Sequence, residues 1–213
     1  MKKKGFFITL EGGEGAGKST LMPLLGKQLE ADGFTVCCSK EPGGTAIGMQ
    51  LRQFMLNHAQ TFKDIQTELL LFLADRLEHI ASILQPALDA NQIVLCDRYM
   101  DSTLAYQVGG RQLDSEQVSY LNSLVKLEPD LTLLLDFPPE EGLKRAAKRS
   151  LPDRFESEAL AFHQRVRKTY LKLYEEYPQR IVKLDVLNKS PDLVMQEAYS
   201  VIKSILKEKK YGI

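Results

Sequence analysis

The stretch that most constrains this chain runs from residue 5 to residue 20, GFFITLEGGEGAGKST. The apolar run Phe6–Leu10 predicts a buried strand, and the glycines after it are too permissive for regular structure. A helical apolar pattern begins at Lys18. The spacing G-x-x-x-x-G-K-S, from Gly12 to Ser19, matches a phosphate-binding loop in full and sits in the required strand–loop–helix context. A glycine-rich turn with a chance Lys-Ser after it is the alternative.

The residue types of such a loop follow from what it binds. Glycines let backbone N–H groups converge on phosphate oxygens, and the helix start adds the positive end of its dipole. We expect Lys18 to reach the β- and γ-phosphates of a nucleotide and the Ser19 hydroxyl to ligate Mg²⁺. The predicted ATP-binding residues are Gly12, Gly13, Glu14, Gly15, Ala16, Gly17, Lys18, Ser19 and Thr20.

Glu14 is an anion inside an anion cradle, where like charges repel. Its carboxylate is expected to point away from the phosphates. It could then accept a hydrogen bond from a neutral donor, such as a sugar hydroxyl of a second substrate. A solvated loop carboxylate is the alternative.

Short apolar strands alternate with helices along the 213 residues. This pattern predicts one domain of the α/β class, with a five-stranded parallel sheet flanked by helices in three layers, as in phosphate-loop NTPases. Ligands of such sheets bind at the carboxyl ends of the strands. The loops that begin at Glu11, Lys40 and Asp97 should therefore form one site. The predicted strands span residues 6–10, 34–39, 93–96, 131–137 and 181–185.

Cations and an acid gather at the same predicted edge of the sheet. Arg52, Arg76 and Arg98 could be brought there, and Asp97 ends the third strand, where an acid helps to hold a Mg²⁺ shell. Phe72 and Arg76 share a helical face, which suits a flat base with a carbonyl edge. The plain alternatives are that Phe72 is core and that Arg76 and Arg98 form structural ion pairs.

Three further side chains fall on one helical turn: Thr103, Tyr106 and Gln107. The amide of Gln107 can offer both a donor and an acceptor to the imide edge of a base. A basic turn, residues 149–154, follows the fourth strand. It is either a cationic flap that closes over phosphates or a solvated helix end whose charges offset the helix dipole.

Composition narrows the class of partner. Lys+Arg and Asp+Glu are 28 each, so the formal net charge is zero, which argues against bulk binding to nucleic acid or membrane. The cysteines Cys37, Cys38 and Cys96 show neither zinc-type spacing nor a disulfide framework, and the start of the chain shows no signal peptide. We therefore expect a cytoplasmic protein with reduced thiols. The histidines show no metal-ligand spacing and are interpreted as surface or packing residues.

A helix over residues 65–90 is predicted, bent or interrupted at Pro86. Its segment 69–74, LLLFLA, is apolar on every side, whereas a helix with one buried face needs only a stripe. This pattern favours a homodimer interface on the helix. A central helix of one large core is the alternative.

Taken together, the motifs resemble the bacterial thymidylate kinase family, nucleoside monophosphate kinases that phosphorylate dTMP. The likeness covers nearly the whole chain. It rests on the phosphate loop and on eight later segments: Glu41-Pro42-Gly43-Gly44-Thr45, Leu51-Arg52, Phe72 with Arg76, Asp97-Arg98-Tyr99, Ser102-Thr103-Leu104-Ala105-Tyr106-Gln107, Gly110-Arg111, Pro129-Asp130-Leu131-Thr132 and Asp153-Arg154.

The resemblance implies a role for each of these side chains. Phe72 should stack on thymine, Arg76 should bond its carbonyl, Thr103 and Gln107 should face the imide edge, and Tyr106 should pack beside the sugar. Arg52 and Arg98 should hold the acceptor phosphate, and Glu14 should approach the 3′-hydroxyl. The loop carries no Arg, so the chain looks like the members whose catalytic cations lie in a lid, here about residues 148–156, with Arg149 and Arg154 as candidates beside Lys18 and Arg98.

Two other functions remain open at this point. A regulatory GTPase would need a guanine-reading Asn-Lys-x-Asp segment, and the nearest match, residues 188–191 (NKSP), lacks the Asp. A kinase with a different small-molecule acceptor is disfavoured by Phe72, Arg76 and Gln107.

Overall fold

The computed structural model describes residues 5–57, 62–148, 153–209 and 211. In this part of the chain five strands form one parallel sheet in the order β2-β3-β1-β4-β5. The strands are β1 (Phe6–Glu11), β2 (Val36–Lys40), β3 (Ile93–Asp97), β4 (Leu131–Asp136) and β5 (Ile181–Asp185). The predicted α/β fold with a five-stranded parallel sheet is confirmed.

Helices connect the strands and cover the sheet on both faces. They are α1 (Lys18–Ala31), α2 (Ala46–Leu56), α3 (Ile65–His79), α4 (Gln85–Asp89), α5 (Met100–Thr103), α6 (Ser115–Ser123), α7 (Pro139–Ala147), α8 (Leu160–Glu176) and α9 (Pro191–Glu208). Within the described residues, no helix combines the length and apolarity that a membrane span requires.

The core lies on the two sides of β1, because successive side chains of a strand point to opposite faces. Phe6, Ile8 and Leu10 pack into one cluster with α1 and α9. Phe7 packs into another cluster with α3, α4 and α6. Every residue of β1 is buried, which fixes the start of the glycine loop on a rigid strand.

The long helix predicted over residues 65–90 is interrupted, although not at Pro86 itself. A π-helical segment, Ile80–Leu84, joins α3 to α4, and the Gln85 N–H donates to the Ile80 carbonyl. Pro86 lies in the first turn of α4, where its missing N–H costs little. The wider π turn therefore absorbs the irregularity before the proline is reached.

A second π-helical segment, Leu104–Gly110, follows α5 and carries Tyr106 and Gln107. The helical turn expected for Thr103, Tyr106 and Gln107 is thus divided between the end of α5 and this π segment. The loops after β1, β2 and β3 lie side by side, since the Arg98 N–H donates to the Leu10 carbonyl and the Glu41 N–H to the Asp97 carbonyl, both at 2.9 Å. Of the predicted lid, Arg149 lies outside the described residues.

Candidate active site

The phosphate loop is shaped by backbone that only glycine adopts freely. Gly12, Gly15 and Gly17 have φ of 138°, 70° and 91°. A Cβ at Gly15 would also collide with the carbonyl oxygen of Gly142 on α7. The loop is therefore pressed against α7 and has no room for a side chain at this position.

Lys18 closes the loop from inside. Its ammonium group donates to the carbonyls of Gly12 and Gly13 at 3.0 and 3.1 Å. Burial and the nearby Arg98 guanidinium lower the pKa of Lys18, while the carboxylates of Asp97 and Glu14 act against that shift. The ammonium group is thus positioned where phosphate oxygens can replace two carbonyl acceptors.

The loop cleft offers a fitting place for Mg²⁺. Ser19 and Asp97 both line it. Asp97 Oδ1 is buried, and no group of the described residues bonds to it. Mg²⁺ is usually held by one or two protein oxygens together with phosphates and water. Among the described residues, no group of three or more His, Cys, Asp or Glu side chains is arranged to hold a metal ion.

Glu14 points from the loop towards a second cleft. Its Oε1 accepts from Arg98 Nη2 and from the Tyr106 hydroxyl, both at 2.6 Å. Burial by itself would raise the pKa of Glu14, but the charges of Arg98 and Lys18 and the Tyr106 hydrogen bond bring it down to about 2. The carboxylate is therefore ionised and is held by Arg98 and Tyr106, at the border between the two clefts.

A fully buried acid, Glu11, lies beneath Arg98. Its carboxylate accepts from the Tyr99 N–H at 2.8 Å, from the Ser102 hydroxyl at 2.6 Å and from the Tyr170 hydroxyl at 2.8 Å. Burial, with the nearby charge of Asp101, raises the pKa of Glu11 to about 7. We did not select Glu11 from the sequence, although an acid that ends an otherwise apolar strand was a usable signal.

The second cleft gathers every side chain that was predicted to bind the acceptor. All eight line it: Glu14, Arg52, Phe72, Arg76, Arg98, Thr103, Tyr106 and Gln107. They come from the phosphate loop, α2, α3, the β3–α5 connection, α5 and the second π segment. Their roles towards a ligand stay predictions, but their convergence on one surface is a fact of the fold.

Arg76 is anchored rather than loose in this cleft. Its Nε donates to Glu41 Oε2 at 2.8 Å, and its Nη1 donates to Thr103 Oγ1 at 2.9 Å and Asn122 Oδ1 at 3.0 Å. The structural ion pair weighed for Arg76 is thus present. It fixes the guanidinium plane at the wall of the cleft, and its hydrogen bonds to other described residues use Nε and Nη1. Glu41 and Asn122 were not recognised from the sequence.

The predicted lid cation Arg154 lies elsewhere. Its Nη2 donates to Glu68 at 2.5 Å and its Nε to the Met55 carbonyl at 2.9 Å. Its neighbours Asp153 and Glu156 line the loop cleft, whereas Arg154 is not among the lining residues. In the described conformation, the structure does not bring Arg154 to the phosphate loop.

The loop cleft and the second cleft share a wall. Five residues line both: Glu14, Glu41, Arg52, Arg98 and Asp153. Arg52 is oriented there by a 2.9 Å bond from Nη1 to the Pro42 carbonyl. A third cleft flanks the loop on its other side, lined in part by Gly17, Thr20, Arg145 and Lys189. The site can therefore hold two anionic ligands end to end.

A parallel sheet with this loop and these adjoining clefts defines a phosphate-loop kinase that acts on nucleotides. The family model described as thymidylate kinase matches residues 10–198. Curated thymidylate kinases from Synechococcus sp. (strain JA-2-3B'a(2-13)) and Protochlamydia amoebophila are 49% and 47% identical, and each alignment covers 92% of this chain and 93% and 92% of the relative. The chain belongs to the thymidylate kinase family.

A solved structure agrees with this assignment. The crystal structure of thymidylate kinase from Ehrlichia chaffeensis matches with a TM-score of 0.76 at 32% identity, covering 93% of this chain and 98% of that chain. The family resemblance inferred from the motifs is confirmed. The comparisons support a kinase acting on dTMP over a nucleotide-binding switch or a kinase with another acceptor.

Proposed function

We propose that this protein transfers the γ-phosphoryl group of ATP to the 5′-phosphate of dTMP, giving ADP and dTDP. The observation that carries this proposal is the wall shared by the two clefts, with Arg52 and Arg98 exposed to both. A donor phosphate chain in the loop and an acceptor phosphate at this wall would meet without any movement of the sheet.

The second cleft suits thymine. Phe72 supplies an apolar ring, Arg76 a fixed guanidinium for a base carbonyl, and Gln107 an amide for the imide edge. Tyr106 and Glu14, already bonded to each other, lie where a deoxyribose would pass between base and phosphate. The third cleft, beside Arg145 and Lys189, would receive the adenosine end of ATP.

Catalysis would come from positioning and charge neutralisation, since the acceptor phosphate is already ionised and needs no strong base. Lys18 would exchange its two loop carbonyls for phosphate oxygens. Arg98 would bind the acceptor phosphate and support the transferred group. Ser19 and Asp97 would hold Mg²⁺, directly or through water. When bound, the ion supplies positive charge to the β- and γ-phosphates.

The lid cations belong to the same proposal. Arg149 and Arg154 would add charge over the transferred phosphoryl group. For Arg154 this requires that its bond to Glu68 is released, because the described conformation directs the guanidinium to that carboxylate.

The decisive experiment is a coupled ADP-release assay of the purified protein with a panel of acceptors: dTMP, dUMP, dCMP, AMP, UMP and shikimate. We expect dTMP to give the highest kcat/KM, and chelation of Mg²⁺ to stop turnover. Preference for AMP, UMP or shikimate would refute the substrate assignment. ATP hydrolysis at the same rate with and without every acceptor would refute the kinase assignment.

We also propose that the enzyme works as a homodimer through α2 and α3. In the segment 69–74 that motivated this prediction, Leu69 and Leu73 are buried in the core, but Leu70 is 54% exposed and Leu77, further along α3, is 49% exposed. Ile47 and Phe54 on the adjacent α2 are also exposed. Neighbouring exposed apolar side chains on packed helices favour a partner over solvent.

A single charge tests the dimer. Leu70→Glu should convert a dimer to a monomer in sedimentation velocity. Leu124→Glu is the matched control, since Leu124 is also 54% exposed but lies at the end of α6. A parent that sediments as a monomer at all concentrations would refute the proposal.

We place the reaction in the cytoplasm, where the three free thiols would stay reduced.

A further inference from the structure

A buried carboxylate, Glu68, lies behind the base end of the second cleft. It is on α3, four residues before Phe72 and eight before Arg76, and its side chain is 0% exposed. Three side chains of the described residues donate to it: Gln107, Arg111 and Arg154. The guanidinium groups of Arg111 and Arg154 pair with the carboxylate, and their charges offset the cost of burying it.

The bond to Gln107 has a consequence for recognition. The Gln107 Nε2 donates to Glu68 Oε1 at 3.1 Å. A carboxylate accepts hydrogen bonds and cannot donate one, so the amide is held with its nitrogen towards Glu68. The amide oxygen of Gln107 is then the atom available to the cleft, which Gln107 lines.

We propose that Glu68 is a positioning residue for base selection: by fixing the Gln107 amide, it presents an acceptor to the cleft and so favours bases that carry an N–H at this edge. Thymine and uracil carry that N–H at N3, whereas cytosine has a bare acceptor there. N3 of cytosine and the Gln107 oxygen would then be two acceptors that face each other with no hydrogen between them. This inference rests on the proposed dTMP kinase activity and adds a source of selectivity to it.

Two contacts from Arg111 hold the Glu68 carboxylate in place behind the Gln107 amide. Arg111 reaches both carboxylate oxygens, with its Nε 3.2 Å from Oε1 and its Nη2 3.3 Å from Oε2. Arg111 also donates to Glu158 and lies over the rings of Phe155 and Phe162. These contacts hold Glu68 within reach of Gln107, and the amide is oriented because both carboxylate oxygens can only accept.

Glu68→Gln tests the inference with nearly the same shape. The amide oxygen of the new residue, in place of Oε2, would keep Arg111 Nη2 and Arg154 Nη2 as donors. Its NH₂ group, in place of Oε1, would face Gln107 and lose the contact with Arg111 Nε. Gln107 would then accept with its oxygen and present its nitrogen to the cleft. We expect the ratio of kcat/KM for dTMP to that for dCMP to fall about tenfold, the size of one exchanged hydrogen bond. The ratio should stay above one, because Arg76 still favours a carbonyl.

The ratio separates positioning from other effects of the substitution. Loss of the Arg154 bond or of general stability would lower kcat/KM for dTMP and for dCMP by the same factor, so the ratio would not change. Arg111→Lys is the matched control: it weakens the same buried cluster but leaves a carboxylate facing Gln107, so the ratio should stay at the parent value. In a Gln107→Leu background, Glu68→Gln should no longer change the ratio.

The outcomes distinguish a failure of the proposed kinase activity from a failure of the proposed role of Glu68. If the parent does not phosphorylate dTMP, the proposed function fails first. If the parent does so and Glu68→Gln, with a native circular dichroism spectrum, keeps the parent dTMP-to-dCMP ratio, the role of Glu68 is overturned. A Glu68→Gln chain that does not fold moves the test to Glu68→Asp. That variant withdraws the carboxylate from Gln107 by one methylene, so the ratio should fall, and a ratio at the parent value would overturn the role.

Discussion

The ion pair between Arg98 and Glu14 gives the sharpest prediction about stability. Both side chains are 17% exposed, so solvent screens their 2.6 Å contact only weakly. The pKa of Glu14 lies at about 2 against an ordinary 4.5, despite burial that acts in the opposite direction. A shift of that size corresponds to about 3 kcal/mol. Arg98 supplies the largest part of it, so Arg98→Met should lower the free energy of unfolding by about 3 kcal/mol at pH 7.

The pH dependence has a defined sign. In the parent, the lowered pKa of Glu14 contributes stability that is present above pH 4.5 and is lost as the pH falls towards 2. In Arg98→Met, burial acts with much less compensation, so a charged Glu14 disfavours the folded state near neutrality. Protonation relieves that penalty. The difference in stability between parent and variant should therefore narrow between pH 7 and pH 4.

Urea denaturation of four proteins measures the effect: the parent, Arg98→Met, Glu14→Gln and the double variant. We expect Glu14→Gln to remove most of the cost of Arg98→Met, with a coupling energy of about 2–3 kcal/mol at pH 7. A coupling energy below about 0.5 kcal/mol, or a difference that widens on acidification, would show that the ion pair does not govern Glu14. Arg98→Met should also lower kcat by orders of magnitude, since Arg98 faces both clefts.

Three further predictions concern single acids and the loop lysine. Lys18→Ala should lower kcat by about a thousandfold, because it removes the cation nearest the donor phosphates, while calorimetric dTMP binding without ATP stays close to the parent. Asp97→Asn should raise the Mg²⁺ concentration for half-maximal rate by about tenfold in a metal titration. Burial, with the Glu41 charge, raises the pKa of Asp75 from 3.8 to about 6, so the folded state loses stability as the pH rises from about 4 to 6. In thermal melts, Asp75→Asn should gain stability over the parent above pH 6 and not below pH 4.

Each of these has an outcome that contradicts it. Loss of dTMP affinity in Lys18→Ala would mean that the lysine supports the acceptor cleft and not only the donor phosphates. An unchanged Mg²⁺ titration in Asp97→Asn would remove Asp97 from the metal site. An Asp75→Asn stability difference that is the same at pH 4 and pH 8 would show that Asp75 does not titrate in this range.

Much of the fold could be predicted because its signals are local. An apolar run such as Phe6–Leu10 predicts burial from its own residues alone, and the glycine spacing after it predicts the backbone conformation of the loop. Side chains at i, i+4, such as Phe72 and Arg76, must share a helical face wherever the helix lies. Together with the rule that ligands bind at strand ends and with the family resemblance, these local signals named eight acceptor residues, and all eight line one cleft.

The rest depended on partners distant in the chain. Glu11 meets Tyr170 across 159 residues, and Glu68 meets Arg154 across 86. No spacing rule connects such pairs, so the acids behind the site were missed even where their positions were visible. The π-helical segments were missed for another reason. A π turn closes its hydrogen bonds over one more residue than an α-helical turn, and this leaves the apolar pattern of the sequence nearly unchanged.

Arg98 shows why a structural ion pair and a ligand contact were never true alternatives. A guanidinium that is buried while the site is empty needs a counter-charge, or its desolvation would work against folding. Glu14 provides it, and the Tyr106 hydroxyl holds Glu14 in place. On the proposed function, a phosphate at the shared wall would compete for the same guanidinium and repel the carboxylate. On the proposed function, the carboxylate displaced from Arg98 is then available to the sugar hydroxyl of the same nucleotide, so phosphate binding and sugar recognition are coupled through one charge.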